Sequence, residues 1–207
     1  MIFERARTQS QKDIRIKEVL DVTTKLYHEI GYENITLSKI SEDLSFTRVN
    51  LYKYFKSKEE IFLKISDNEL IKFTNILIDN LQGINDLDQF ANIFAKTLDE
   101  QKLFLHLLTL DLAVIQYNIS EEKLIEHWDT VASQIDLIHH QITKNFPHLS
   151  LTDATTLLSH IIIFSRGLYS HSYKNDLQIK ICEQVGIYTP EYTNDMTNFI
   201  KLNVKSF

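Results

Sequence analysis

Cysteine occurs once in the 207 residues, proline twice and glycine four times. A single cysteine excludes a disulfide framework, which needs cysteines in pairs, and leaves no Cys-rich spacing for a structural zinc site. So few prolines and glycines exclude a strand-rich fold, whose many tight turns draw on both. No apolar run reaches the roughly 18 residues that span a bilayer. The opening MIFERARTQS also lacks the apolar stretch of a signal peptide. The protein is therefore expected in the cytoplasm, with no membrane partner. Neither a Gly-rich phosphate loop, a G-x-S-x-G elbow nor an H-E-x-x-H helix occurs, so no familiar enzyme class is indicated and no metal or cofactor is expected. His139 and His140 are adjacent and point to different parts of a helix surface. Ser120-Glu121-Glu122-Lys123, a formal S-x-x-K match, reads as a helix start.

What remains is the balance of an ordinary globular protein, 43% hydrophobic and 24% charged, which together with the missing turn residues predicts an all-α fold. The length suits a small module attached to a larger one. Charge divides along the same line. Residues 1–66 carry twelve Lys/Arg against ten Asp/Glu, net +2, and residues 67–207 carry ten against eighteen, net −8, together the −6 of the whole chain. The basic end has the sign that nucleic acid attracts.

Apolar spacing places the elements. Val19, Val22, Thr23, Leu26, Tyr27 and Ile30 recur at steps of three and four, predicting a helix from about residue 12 to 30 that Gly31 ends in a left-handed conformation. Thr36 stands where it caps a short helix over 37–44 with Leu37, Ile40 and Leu44 inward. Ser45 and Phe46 break the chain, and Thr47 opens a second short helix through Phe55. Ser57-Lys58-Glu59-Glu60 has the S-x-x-E form of a capping box, in which hydroxyl and carboxylate reciprocally satisfy two backbone N–H groups; a long helix to about Leu81 follows. Further helices are predicted near 86–98, 101–117, 120–146, 151–173, 176–185 and 190–204. Pro147 and Pro190 mark two of the breaks.

Helix, tight turn and short polar helix is the layout of a helix-turn-helix reader, whose second helix enters the DNA major groove. Residues 19–65 resemble the N-terminal domain of TetR/AcrR-type bacterial transcriptional regulators. The likeness runs through Leu26-Tyr27, Gly31-Tyr32, Ile35-Thr36-Leu37 with Ile40, Leu51-Tyr52, Tyr54-Phe55 and Lys56-Ser57-Lys58-Glu59-Glu60. It implies a DNA-binding domain over 1–57 and a helical ligand-binding and dimerisation domain over 58–207, joined by the long helix. It further implies that Thr47, Arg48 and Asn50 face base edges, that Lys53 and Tyr54 lie one turn on, and that Tyr52, Lys58 and Thr36 contact phosphate. Arginine suits guanine and asparagine suits adenine, each pair worth about 1–3 kcal/mol of discrimination; phosphate contacts set register. Two departures stand out. Leu44-Ser45-Phe46 replaces the usual Ala-Gly-Val at the turn, and Val49 replaces a small residue. A left-handed Ser45 would cost about 1 kcal/mol relative to glycine.

Beyond residue 66 the likeness weakens but includes Tyr117-Asn118-Ile119-Ser120 and Arg166-Gly167-Leu168-Tyr169. It implies a homodimer through the helices near 151–173 and 190–204, a double-stranded palindromic operator, and release by a small-molecule effector. Phe73, Leu77, His106, Thr109, Tyr117, His127, Trp128 and Phe164 are the candidate lining of the effector cavity. The function expected is that of a ligand-responsive regulator, most simply a repressor. The alternative is a helical regulator that acts through a protein partner with an altered DNA-binding head; a helical enzyme or carrier comes third.

Overall fold

The computed structural model describes residues 9–110 and 118–205, and every regular element among them is helical. In order these are α1 (Gln9–Ile30), a single 3₁₀ turn (Tyr32–Asn34), α2 (Leu37–Glu42), α3 (Arg48–Leu51), α4 (Lys58–Asn80), α5 (Leu87–Glu100), α6 (Lys102–Thr109), α7 (Glu121–Asn145), α8 (Leu151–Ser172), α9 (Asp176–Val185) and α10 (Tyr192–Val204). No described helix is long and apolar enough to cross a membrane. The chain divides into two compact units. Among the described residues, one joins 9–68 to 118–129, and the other joins 69–110 to 130–205.

The first unit is built on α1. Val19, Leu20, Thr23 and Tyr27 are buried along it at the predicted spacing, and Ile35, Ile40, Phe46, Leu51, Phe55, Ile61 and Phe62 complete the core. Phe62 meets the rings of Tyr27 and Tyr32 edge-on at 5.3 and 4.9 Å. Gly31 ends α1 with φ 72° and ψ 162°. That is a stricter requirement than the left-handed helix cap expected, because this region of backbone space is open essentially to glycine alone.

The second unit is packed around aromatic rings. Phe73 stacks on Phe104 at 4.9 Å, Phe90 meets Phe146 edge-on at 5.0 Å, and Phe94 contacts both Phe73 and Phe90. All five are buried, and each contributes about 1.5–3 kcal/mol relative to exposure. α5 packs chiefly on α10, which also packs on α8. Local devices set the ends. Ser150 and Asp153 form a full capping box at the start of α8, and Asn175 with Gln178 does the same for α9. Side-chain amides of Asn145 and Gln141 donate to the carbonyl of Leu81, and Asn145 also to that of Ile84, fixing the turn after α4.

The capping box expected at Ser57 is displaced by one residue. Ser57 Oγ accepts from Glu60 N at 3.2 Å, but the Glu60 carboxylate accepts from Lys56 N at 2.7 Å rather than from Ser57 N. Ser57 Oγ also donates to the Asn118 carbonyl at 3.0 Å.

Candidate nucleic-acid interface

α2 and α3 are too short to be stable alone, so tertiary anchors must hold them. Thr36 caps α2, its hydroxyl oxygen accepting from Lys39 N at 3.2 Å. The turn that follows is where this chain departs from its relatives' pattern, and the structure accounts for it. No non-glycine residue among those described has a positive φ, so the left-handed strain expected at Ser45 is absent. A carboxylate from α1 replaces the glycine instead: Glu18 accepts from Ser45 N at 2.5 Å and from Ser45 Oγ at 2.8 Å. Phe46 is buried, with the Tyr54 ring edge-on at 6.2 Å and the Arg15 guanidinium 5.3 Å from its centroid. It plugs the space that a smaller side chain at the turn would leave empty.

Thr47 occupies the N-cap position of α3 with extended backbone, but its side chain makes no capping bond. The helix ends at Leu51, short of the predicted Phe55. The Leu51 carbonyl accepts from both Tyr54 N and Phe55 N, a tightening common at helix ends. Leu51 and Phe55 face inward, as expected. Thr36, Thr47, Arg48, Tyr52 and Lys53 are exposed, and Asn50, Tyr54 and Lys58 half-buried, all within the same unit.

The exposed polar groups are held by near neighbours. Arg48 donates to Tyr52 Oη at 2.8 Å and lies over its ring, and Lys53 donates to Asn50 Oδ1 at 2.6 Å. Lys58 Nζ donates to the Tyr32 carbonyl at 2.9 Å and sits 4.1 Å from the Tyr32 ring centroid. An ammonium has three donors and a hydroxyl both donates and accepts, so Lys58 and Thr36 keep capacity beyond these bonds. Tyr32 donates to Glu59, and burial, then Glu59, push its phenol well above its ordinary range.

The seven described candidate effector residues have different surroundings. Phe73 and Leu77 are fully buried in the second unit's core. His106 is exposed and stacks on Tyr169 at 5.7 Å, and half-buried Thr109 donates to the His106 carbonyl. Phe164 stacks on Phe199 at 4.0 Å. His127 and Trp128 belong to the first unit: His127 is buried with Nδ1 2.5 Å from Asp67 Oδ1, whereas Trp128 is exposed. Tyr117 lies outside the described residues. An open groove of about 520 Å³ is lined by Ile163, Phe164, Gly167, Leu168, His171, Tyr188 and Pro190; of the seven described candidates only Phe164 contributes to it.

An anchored pair of short helices with a polar outer edge is a helix-turn-helix, and family comparison settles whose. Residues 19–65 match the family described as bacterial regulatory proteins, tetR family, and residues 67–200 match the tetracyclin repressor-like C-terminal domain. The chain belongs to the TetR family. As a member it is a DNA-binding transcriptional regulator and not an enzyme. It is similar to IcaR of Staphylococcus epidermidis, the negative transcriptional regulator of the biofilm operon icaADBC. The two are 28% identical over 133 residues, 58% of this chain and 72% of that protein. Among solved TetR-type folds it resembles the fatty acid degradation regulator FadR of Bacillus halodurans (TM-score 0.60, 14% identity, 91% of this chain and 94% of that one). A TetR/AcrR regulator of Thermobifida fusca is equally near (TM-score 0.60, 20% identity, 91% and 97%).

Within this TetR-family head, sequence reasoning missed Glu18 and Arg15. Both lie on α1, and their partners Ser45 and Phe46 are some thirty residues on (27 for the Glu18–Ser45 bonds), so no local pattern announces them. The departure at Ser45-Phe46 was the available signal: a turn lacking its glycine needs support from elsewhere in the fold.

Proposed function

We propose that the protein is a repressor that binds a palindromic operator as a homodimer and releases it when a small molecule binds the helical body. Residues 1–57 form its reading domain and residues 58–207 its effector and dimerisation domain. The observation that carries the reading is the edge formed by Thr47, Arg48, Asn50, Tyr52 and Lys53, outward-facing over the inward anchors Phe46, Leu51 and Phe55. Arg48 and Asn50 supply base-edge hydrogen bonds; Lys53 and Tyr54 follow one turn on. Thr36, Tyr52 and Lys58 fix register on the phosphates. Negative regulation by the IcaR relative supports repression.

Dimerisation through α8 and α10 is supported by three exposed apolar residues on those helices, and the segment between them carries six more. Of the sixteen large hydrophobic residues exposed among those described, nine fall between Leu151 and Leu202, including Ile163 on α8 and Leu202 on α10. Such concentration marks an interaction face. The groove beside α8 belongs to it, and a partner's side chains fill it in a two-fold contact. For the effector, His106 and Thr109 are accessible as they stand, whereas Phe164 faces the groove that the partner fills. Phe73 and Leu77 contribute only when the aromatic core parts, and a ligand that favours such a state lowers DNA affinity by its differential affinity for it.

The test is fluorescence anisotropy against duplexes enriched from a random library by the full chain. Arg48→Ala is expected to weaken the enriched site by about 1–3 kcal/mol while leaving thermal stability unchanged. Affinity should fall steeply with salt, as phosphate contacts require. Sedimentation should give twice the monomer mass, and Ile163→Glu should reduce it to monomer. Recovery of a protein partner with no duplex enrichment would instead favour a regulator that works without reading DNA.

A further inference from the structure

Val49 lies outside the core of the fold. It is 72% exposed, the most exposed large hydrophobic among the described residues, although it stands in α3 two positions from buried Leu51. A β-branched residue is a poor choice for a solvated helix on propensity alone. Its neighbours are polar and occupied: Arg48 is bonded to Tyr52 and Asn50 to Lys53. Val49 is thus the one large aliphatic side chain exposed on α3 itself, between the two side chains assigned to base edges.

The major groove presents one apolar group among its donors and acceptors, the C5-methyl of thymine. We propose that Val49 is a specificity-determining residue that reads a thymine in each half-site by packing on that methyl. This rests on the DNA-reading function proposed above. The contact buries hydrocarbon on both sides and needs no hydrogen bond. It therefore discriminates thymine from cytosine, which lacks the methyl, and adds a base preference that Arg48 and Asn50 alone do not supply.

The experiment isolates the methyl. A duplex is enriched from a random library with the full chain, and each thymine in a half-site is then replaced in turn by uracil, which removes the methyl and keeps O4. Wild-type protein is expected to lose about fourfold in affinity per half-site at one position, the worth of one buried methyl group. Val49→Ala is expected to lose nothing further at that position and to respond like wild type at every other. Because Val49 is exposed, its truncation should leave the thermal midpoint and salt dependence unchanged, which separates a reading defect from a folding one. Equal uracil responses by wild type and Val49→Ala at every position would overturn the assignment while leaving the DNA-reading function intact. Failure to enrich any sequence would overturn both.

Discussion

The two units of the protein solve opposite problems. The reading unit must hold polar side chains outward on helices of four and six residues, and it does so with long-range anchors: Glu18 on Ser45, Arg15 over Phe46, Lys58 on Tyr32. The body has longer helices and is held chiefly by a continuous core of phenylalanine, leucine and isoleucine, with a few long-range bonds such as those of Asn145 and Gln141 added to it. Stability in one is a matter of a few specific bonds, and in the other chiefly of buried area. A side chain in the first can be expendable for folding and indispensable for function. In the second the reverse holds.

Three changes sharpen that contrast. The largest effect is expected in the body, where Phe94→Ala should cost about 3–5 kcal/mol of unfolding free energy by urea titration, because Phe94 is fully buried between two other rings. Any loss of DNA binding should then track the unfolded fraction. Next is the turn. Glu18→Ala should cost only about 1 kcal/mol in stability, since the bonds it breaks are at an exposed site. It should nonetheless weaken specific DNA binding in anisotropy measurements by more than it weakens non-specific binding, because the start of α3 loses its support. Equal loss on both would show that Glu18 matters for folding alone.

The smallest effect is one of pH. Burial, only partly opposed by Asp136 and reinforced by His140, holds the His139 imidazole below its ordinary value of 6.5. The folded state therefore resists the proton more than the unfolded chain does. Stability from this source is complete above about pH 6.5 and declines as pH falls below it, until the folded group itself takes up the proton. Thermal midpoints should drop modestly between pH 7.5 and 5.5, and His139→Gln should remove that slope.

Much of this was legible in the sequence. The spacing of Val19, Thr23 and Tyr27 and the caps at Thr36 and Ser57 placed the elements closely, because such signals depend on residues within a turn or two. The all-α class followed from the scarcity of glycine and proline. What local pattern does not announce is non-local or ambiguous by nature. The Ser45 turn takes its support from α1, and Glu60 reached past its expected partner to Lys56. Phe73 and Leu77 are buried in the second unit's core, a placement that helical spacing alone does not tell from the wall of a cavity. His127 and Trp128 are adjacent and lie on opposite sides of the surface, one buried beside Asp67 and the other exposed.

The amides of Asn145 and Gln141 grip carbonyl oxygens of the main chain at the turn after α4. Every residue type offers the same oxygen at that point. Leu81 and Ile84 can therefore exchange for other apolar residues with the grip intact, whereas Asn145, whose single amide serves two carbonyls, has no equivalent substitute. Tolerance to mutation is thus lopsided across one contact: wide on the side that is held, narrow on the side that holds.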